Sequence, residues 1–505
     1  MTPKIRNESR IFWGCFVALA TCAFGFIVRT QIIGNWQAQF NLSETEVGQI
    51  LAVGFWPFAF SIIGFGLVID KIGYGRAAAV GFLFHISSIT ILLLATTARM
   101  LYWGTFIFAL SNGTVEAYMN TALASIYPRE KTKWISMVAA GWPCGMIAGG
   151  LLAIALAGLD WRWKVSLTLV PAIAYGMVFI GARFPVSERV SSGVSYREML
   201  QELGASGAFV AVYLVALQVC DGILHLESGR FLWPLLPAAA VAAAFGWYAR
   251  SWGKLYYFIL LLLMIPLSTT ELGIDSWITD LMAPAMKTFG LNPGWLLVYA
   301  AVIMTVPRFA AGPLLRFFGP YGLLIAGTLS AALGIGAFSL ASGTAIFAAA
   351  TLYGFGKSVF WGTMLGLVAE RFPRGGALVL NCIGGVALLS LSVGMVFLGT
   401  IQDKRIERDL VLRDAAAHTQ LHQIYLTERK SSAFGSYAAL NQDRLRSAPL
   451  ADRQVIEQAQ LGAKKEALRT AVWIPGFALL AFIILLLHSK WRARGELRAP
   501  AAAAG

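Results

Sequence analysis

Three polar side chains lie one helical turn apart inside an otherwise apolar stretch of the chain. They are Asn112, Glu116 and Asn120, and the stretch begins at Leu101. A spacing of four residues places all three on one face of a helix. Because a carboxyl group is expensive to keep inside a membrane helix, it usually marks a substrate, ion or proton site. We therefore interpret Glu116 as a functional acid; the alternative is a neutral, hydrogen-bonded packing residue.

Other charged residues occur within apolar runs in the same way. Between Pro266 and Asp275, Glu271 lies among hydroxyl residues and a glycine, which predicts a helix that is kinked or broken near a cavity. Lys357 lies too deep in its run to reach water easily, so we expect it to be paired or to contact a ligand. The candidate substrate-binding or proton-coupling residues are Glu116, Asn112, Asn120, Arg29, Glu271, Asp275, Lys357 and Trp361.

The elements that position these residues must be membrane helices. Of the 505 residues, 57% are hydrophobic and only 13% are charged, which is about half the charged fraction of a soluble globular protein. The mean hydropathy is +0.67, and many apolar runs exceed the roughly 18 residues that indicate a spanning helix. Lipid requires backbone groups to be satisfied within each segment, which favours helices. We predict an all-α polytopic membrane protein in contact with the lipid bilayer.

The apolar runs predict about 14 spans, and the basic loops predict their orientation. Short loops with Lys and Arg, such as 129–133 and 371–374, fall on the same side as both termini. Such loops usually stay in the cytoplasm, so we predict two cytoplasmic termini in a bacterial inner (plasma) membrane. Arg162 and Lys164 are the one discordant pair. The loops hold much of the net charge of +14, so we predict no nucleic-acid partner.

A glycine-flanked acid follows the second predicted span. The candidate gate residues are Gly66, Asp70, Lys71, Gly73 and Arg76. Glycines permit a tight turn and close helix approach, and an aspartate can pair with basic residues or cap a helix end. The pattern resembles the cytoplasmic signature of the major facilitator superfamily, G-x-x-x-D-[RK]-x-G-x-[RK], with one extra residue before the last basic position.

Two sequence marks recur at one offset. Gly312 to Gly319 is a decayed copy of the gate motif in which Arg316 replaces Asp70 (316 − 70 = 246), and Phe372-Pro373-Arg374 repeats Tyr127-Pro128-Arg129 (373 − 128 = 245). Two marks with a common offset indicate two homologous halves, as in many secondary transporters. The offset is longer than six spans require, and two extra spans account for the excess.

The fold class is therefore two six-helix halves with two extra transmembrane helices between them. The predicted units are an N-terminal half (1–183), a cytoplasmic linker (184–207), an inserted helix pair (208–250), a C-terminal half (251–488) that includes an external loop (401–469), and a cytoplasmic tail (489–505). We predict that the inserted pair packs outside the two halves. In the external loop, the apolar spacing predicts an amphipathic helix that uses Ile406, Leu410, Leu421, Ile424 and Tyr425.

The superfamily resemblance implies that the first, fourth, seventh and tenth core helices line a central cavity. These helices carry Arg29, Glu116, Glu271 with Asp275, and Lys357, in that order. By the repeat, Lys357 corresponds to Asn112, one turn from Glu116, so we predict that Lys357 and Glu116 pair when the cavity is empty. Arg308 is assigned to structural pairing or to the gate.

A second, local resemblance concerns the fourth helix. Glu116-x-x-x-Asn120 after Gly113 is similar to the fucose–proton symporter family, in which the corresponding glutamate takes part in proton coupling and the substrates are sugars. The chain departs from that family in carrying Thr121 where proline is common and Arg29 where the first helix has an acid. Arg29 and Lys357 instead favour an anionic ligand.

These observations predict a secondary active transporter that moves a small polar solute by alternating access. The solute classes are a sugar, a sugar acid or an organic anion, and the expected mode is proton-coupled symport by a monomer. The alternatives are a proton-coupled exporter, because Gly141 to Gly150 weakly resembles an antiporter signature, and a non-transporting membrane sensor or scaffold that uses the external loop. The sequence has no P-loop and no nucleophile–base motif, so we predict neither an enzyme nor a cofactor. The one close histidine pair, His418 and His422, has no third ligand, so we predict no metal site.

Overall fold

The structure, a computed structural model, describes residues 3–42, 44–222, 231–275, 282, 295–341, 343–427, 429–432 and 434–498. These residues form helices and one two-stranded antiparallel sheet, Lys430–Ser432 with Gly435–Tyr437. The helices are α1 (Pro3–Phe40), α2 (Glu44–Ala52), α3 (Trp56–Ile72), α4 (Tyr74–Leu93), α5 (Ala98–Ile126), α6 (Lys131–Val138), α7 (Gly141–Ala155), α8 (Trp161–Ser166), α9 (Leu169–Phe179), α10 (Glu188–Ser191), α11 (Tyr196–Gly222), α12 (Leu235–Ala249), α13 (Leu255–Ser268), α14 (Trp295–Phe309), α15 (Ala311–Leu340), α16 (Ala345–Ser358), α17 (Phe360–Arg371), α18 (Gly376–Ala417), α19 (Leu421–Tyr425), α20 (Gln442–Arg446), α21 (Leu450–Ala471) and α22 (Trp473–Arg498).

Within the described residues, nine helical stretches are long and apolar enough to cross a membrane. Two further apolar helices, Leu235–Ala249 and Val298–Phe309, are shorter. The predicted all-helical architecture is therefore confirmed, while the count of fourteen spans stays a prediction. Several predicted spans are two helices in series, as α6 and α7 are, and part of the predicted span 254–282 lies outside the described residues.

Three apolar clusters form the core. One is built mainly from α1 to α9, and it holds Cys15, Trp36 and Tyr175. The second is built mainly from α11 and α13 to α18, and it also receives Phe58 and Ala109 from the first group of helices. The third joins the outer end of α18 to α19 and α21. The five cysteines are free thiols, and four of them are buried, as expected for small core residues.

The repeated sequence marks share backbone geometry. Gly73, between α3 and α4, has φ 85°, and Gly319, at the kink inside α15, has φ 65°. The separation of these two glycines (319 − 73 = 246) is the predicted offset. Tyr127 and Phe372, which end α5 and α17, have nearly the same dihedrals, φ −116° with ψ 62° and φ −125° with ψ 55°. Left-handed glycines and matching helix ends at one offset support the internal repeat.

The two helices predicted as an insertion are peripheral. Helix α11 packs against α12, α13 and α18, whereas α12 packs mainly against α11. Only a narrow stripe of α12 is buried, at Ala238, Ala242 and Ala249. The last part of the predicted linker is the first part of α11, which ends at a kink at Gly204. Residues 223–230 lie outside the described residues.

The segment 401–469 continues from the membrane helices. Helix α18 has 42 residues and is therefore about 63 Å long, roughly twice the hydrocarbon thickness. Its outer end buries Ile406 and Leu410 against α19 and α21. Leu421 and Tyr425 are buried as predicted, but Ile424 is 46% exposed. The prediction for Ile424 is wrong because the chain leaves α18 at His418, which has φ 54°, and the five-residue helix α19 leaves Ile424 at the edge of its buried face.

The discordant basic pair satisfies helix carbonyls. Arg162 donates to the carbonyl oxygens of Leu93 (3.3 Å) and Ala95 (3.0 Å), at the end of α4. Lys164 lies 3.5 Å from the Ala157 carbonyl, just beyond α7. A basic side chain at a helix C-terminus is stabilised by the orphan carbonyls and the helix dipole, which explains why these residues break the charge rule.

Candidate functional site

A cavity of about 60 Å³ lies between α1, α3, α5, α7, the α13 extension, α14, α17 and α18. Its charged lining consists of Glu116, Glu271 and Arg308. The other lining residues are Leu19, Phe58, Ala139, Trp142, Leu272, Trp361 and Leu388. Drug-sized ligands occupy pockets of about 300–1,000 Å³, so the surrounding helices must separate before a sugar-sized solute can enter.

Glu116 enters this cavity from α5. Helix α5 approaches α3 so closely at Gly113 that a Cβ there would lie 2.2 Å from the Phe58 carbonyl oxygen. The Glu116 side chain is buried, and its Oε2 accepts a hydrogen bond of 2.6 Å from the Asn120 amide. Asn120 is the residue one turn away that the sequence placed on the same face. Trp361 lies beside the carboxyl group from the opposite helix.

Glu271 enters from a distorted helix end. Helix α13 contains Pro266 and continues as a π-helical turn, Thr269–Gly273, which carries Glu271. Prolines free backbone groups in membrane helices, and π-helical turns occur often at functional sites. The predicted distortion of this helix is confirmed. Glu271 Oε1 accepts a hydrogen bond of 2.9 Å from Arg308 Nη2, and both side chains are buried.

Arg308 connects several elements at once. Its Nε donates to the Ser358 carbonyl (2.9 Å), at the end of α16, and its Nη1 donates to the Ala139 carbonyl (2.9 Å), at the break between α6 and α7. Arg308 also interacts electrostatically with Glu116. The sequence assigned this residue to pairing or to the gate; the pairing is present, and the cavity lining is an additional role. The sequence could have indicated this role, because an arginine inside an apolar run is a candidate site residue by default.

The predicted pairing of Lys357 with Glu116 is not present. Lys357 Nζ instead lies 2.5 Å from both carboxyl oxygens of Asp275. It also lies 3.4 Å from the Glu271 carbonyl, and the Tyr353 hydroxyl lies 3.1 Å from Asp275 Oδ1. This pair forms because the π-helical turn brings Asp275 back over α16. Neither member of this ion pair borders the cavity, but both interact electrostatically with Glu271.

Two further candidates lie away from the cavity among the described residues. The Asn112 side-chain oxygen is 3.3 Å from His85 Nε2, and His85 Nδ1 is 2.8 Å from the Tyr175 hydroxyl. This buried network holds α4, α5 and α9 together, and the sequence analysis overlooked His85. Arg29 borders a different small cavity with Trp36, and its guanidinium lies 5.7 Å from the Phe26 ring centre.

Asp70, from the predicted gate motif, lies at one end of the helices. Asp70 Oδ2 is 2.6 Å from Arg189 Nε, and the two side chains are 2% and 8% exposed. Arg189 also donates to the Val194 carbonyl (2.6 Å). A Cβ on Gly376, the first residue of α18, would lie 3.5 Å from Asp70 Oδ2. Asp70 therefore pairs with the linker and lies beside the N-terminus of α18, where a negative charge is stabilised.

A second set of contacts closes the same end. Lys131 Nζ lies 2.5 Å from Glu188 and 3.1 Å from the Ala369 carbonyl. Glu370 accepts hydrogen bonds from the Thr132 amide (3.1 Å) and hydroxyl (2.6 Å). Helices α6 and α17 are so close that a Cβ on Gly366 would lie 2.3 Å from the Thr132 Cα. The structure is closed on the side of Asp70.

Two bundles, a cavity between them and a glycine-flanked aspartate at one end agree with the family comparison. Residues 12–385 match the family model of the Major Facilitator Superfamily. The chain belongs to this superfamily. No curated protein gives a significant sequence match. The superfamily resemblance that the gate motif indicated is thereby confirmed.

Solved structures of superfamily transporters share this fold. The human organic anion transporter MFSD10 (TETRAN) superposes with a TM-score of 0.59 at 12% identity, covering 95% of this chain and 100% of its own. The proton:xylose symporter XylE of E. coli gives 0.57 at 14% identity, with 94% and 95% covered. The E. coli fucose:proton symporter FucP gives 0.57 at 12% identity, with 92% and 98% covered. Identities this low show the fold alone.

The cavity of this superfamily member is lined by more acidic than basic side chains. Two carboxyl groups, Glu116 and Glu271, share one guanidinium, Arg308. Glu271 holds the direct ion pair, while the hydrogen-bond partner of Glu116 is the neutral Asn120. An ionised carboxylate without a full counter-charge is costly in a buried site. A proton or a second cation removes that cost, so the arrangement can bind either one.

Proposed function

We propose that this protein is a proton-coupled symporter that moves a small organic anion, such as a sugar acid, across the membrane by alternating access. The observation that carries the proposal is the Glu116–Arg308–Glu271 cluster in the cavity between the halves. The predicted location is a bacterial inner membrane with both termini in the cytoplasm. The division into halves, linker, inserted pair and tail at the sequence-derived boundaries belongs to the same proposal.

The anion is proposed to bind Arg308. A guanidinium recognises a carboxylate through two parallel hydrogen bonds, and Arg308 now uses Nη2 for Glu271. An incoming carboxylate would compete with Glu271 for this donor. The name of MFSD10 as an organic anion transporter agrees with this class of solute. The cations that first suggested an anion, Arg29 and Lys357, are less suitable because they do not border this cavity.

The proton is proposed to bind Glu116. When the anion occupies Arg308, the cavity holds one more negative charge, and a proton on Glu116 offsets it. Anion and proton would then move in the same direction. Asn120 suits both states of the carboxyl group, because an amide donates to the ionised form and accepts from the protonated form.

A neutral sugar is the second candidate solute. Trp142, Trp361 and Phe58 border the cavity, and flat aromatic faces stack on sugar rings. XylE and FucP are symporters of xylose and fucose, and the local resemblance around Glu116 points to sugars as well. Under this alternative Glu271 stays on Arg308, and Glu116 alone carries the proton.

The test measures uptake by purified protein in liposomes with an inward proton gradient. Candidate solutes are glucuronate for the anion and xylose and fucose for the sugars. We expect wild-type protein to accumulate glucuronate and the Glu116→Gln variant to exchange it without accumulation, because glutamine mimics the protonated acid. Glu130→Gln is the matched control, since Glu130 lies at the protein surface in an exposed ion pair with Lys133.

Two results would contradict the proposal. Accumulation by Glu116→Gln under a proton gradient alone would remove Glu116 from coupling. Uptake of the sugars but not of glucuronate would replace the anion with the second candidate. Binding without flux for every solute would instead favour a sensor, and export from loaded vesicles against a gradient would favour an exporter.

A further inference from the structure

A groove on the outside of the bundle is separate from the cavity. It has a volume of about 730 Å³ and runs between α11, α12 and the start of α13. Its floor is made of small residues, including Ala205, Ala239, Ala243 and Gly246. The groove lies near the linker, and thus at the same end as Asp70. Neither α11 nor α12 borders the transport cavity among the described residues.

The rim of the groove combines aromatic and basic side chains. Trp247 and Trp252 are 84% and 83% exposed, and both line it. Tryptophan is enriched at membrane–water interfaces, where its amphipathic ring sits at the headgroup level. Arg250 lines the groove between them, and Lys254 is exposed a few residues on. Among the described residues, neither Arg250 nor Lys254 has a carboxylate partner within ion-pair distance.

The backbone holds this rim in place. The amides of Ala205 and Ser206, at the kink in α11, donate to the carbonyls of Ser251 (3.0 Å) and Trp252 (3.1 Å). These two backbone segments cross so closely that a Cβ on Gly204 would lie 1.9 Å from the Gly253 nitrogen. Arg250 has φ 54° and ψ 44°, a left-handed conformation that residues with a Cβ seldom adopt and that clusters at ligand sites.

We propose that this groove is a binding site for an anionic phospholipid of the leaflet on the Asp70 side. An acyl chain lies along the alanine floor, and the headgroup phosphate contacts Arg250 between the two tryptophans. Basic pockets between membrane helices on the cytoplasmic side are suited to anionic headgroups. A second copy of the chain is disfavoured as the occupant, because two copies of Arg250 would be brought together without a facing carboxylate. The inference does not depend on the proposed transport activity.

The test is native mass spectrometry of delipidated full-length protein, titrated with phosphatidylglycerol and with phosphatidylcholine. We expect wild-type protein to bind one phosphatidylglycerol more tightly than phosphatidylcholine. Arg250→Gln should reduce that preference about fivefold, the factor that corresponds to ~1 kcal/mol for one basic residue near a lipid surface. Ala243→Leu, which fills the floor, should weaken binding of both lipids.

Each variant has a control on the same molecule. Arg183→Gln removes an exposed arginine at the same end outside the groove, and Ala244→Leu enlarges the neighbouring exposed residue of α12. Both controls should bind lipid as wild type does. Wild-type lipid preference in Arg250→Gln, or wild-type affinity in Ala243→Leu, would overturn the proposal. A dimer that Ala243→Leu dissociates would show that a second copy fills the groove instead.

Discussion

Replacing Asp70 with asparagine should open the closed end of the transporter. In the structure Asp70 pairs with Arg189, and both side chains are almost completely buried. Removing one partner of a buried ion pair costs about 3–5 kcal/mol, because the other charge is left without compensation. Asparagine can still accept one hydrogen bond from Arg189, so we take the lower end of that range, about 3 kcal/mol.

That free energy converts into a shift between conformations. Asp70 pairs with the linker and lies beside the N-terminus of α18 in this closed arrangement, so we assign the loss to the closed state. At about 1.4 kcal/mol per factor of ten, the ratio of closed to open molecules should fall roughly 100-fold. Solute affinity should change little, because Asp70 does not border the cavity.

Cysteine labelling measures this shift. Ala124 is buried behind the gate and borders a small cavity with Arg189 and Phe372. In a background without the five native cysteines, Ala124→Cys should react much faster with a maleimide applied from the Asp70 side when Asp70→Asn is present. Glu130→Gln removes an exposed ion pair and should change the rate by less than about fivefold. Equal labelling rates with and without Asp70→Asn, or loss of solute binding in a folded protein, would refute the reasoning.

Three further perturbations follow from contacts in the structure. Gly366→Ala should also raise the labelling rate of Ala124→Cys, because the new Cβ would overlap the Thr132 backbone. Gly336→Ala is the control and should leave the rate unchanged, because its Cβ would lie 3.8 Å from the nearest atom, on the Val472 side chain. Arg308→Gln and Glu271→Gln should each lower thermal stability, and the double variant should recover part of the loss; strict additivity would mean that the pair is not coupled. Burial alone would raise the pKa of Asp414, but hydrogen bonds from His422, Thr419 and Leu421 lower it to about 2. Since this pKa lies below its ordinary 3.8, the carboxylate stabilises the segment 401–469 above about pH 4, and that contribution should disappear as the pH falls towards 2. Asp414→Asn should therefore speed proteolysis of 418–449 at neutral pH, whereas unchanged cleavage would contradict the assignment.

Features that depend on local sequence were predictable. The spacing of Glu116 and Asn120 fixes their shared face through helix geometry alone, and their hydrogen bond is present. The distortion near Glu271 followed from Pro266 and the hydroxyl residues around it. The repeat was readable because Gly73 and Gly319 meet the same backbone requirement at one offset.

Features that depend on the orientation of each helix about its own axis were not predictable. The repeat placed Lys357 at the level of Glu116, but it could not indicate that the π-helical turn brings Asp275 to Lys357 first. A π-helical turn holds about one residue more than an α-helical turn, so the side chains that follow it point in a different direction. The α-helical period of 3.6 residues does not predict this rotation. Arg29 was assigned to the cavity from its helix number and Asn112 from its spacing to Glu116, yet both face other elements within the N-terminal bundle.

The short helix α6 connects the cavity to the closed end. At its first turn Lys131 and Thr132 hold Ala369 and Glu370 of α17, and just beyond its last turn the Ala139 carbonyl accepts a hydrogen bond from Arg308. A solute carboxylate that draws Arg308 away from Ala139 would release the inner end of this helix. Eight residues of helix span about 12 Å, a distance over which a rigid element moves as one body. Coupling through α6 therefore requires that Thr132→Ala and Arg308→Gln affect gate labelling non-additively, since both act on the same packed element.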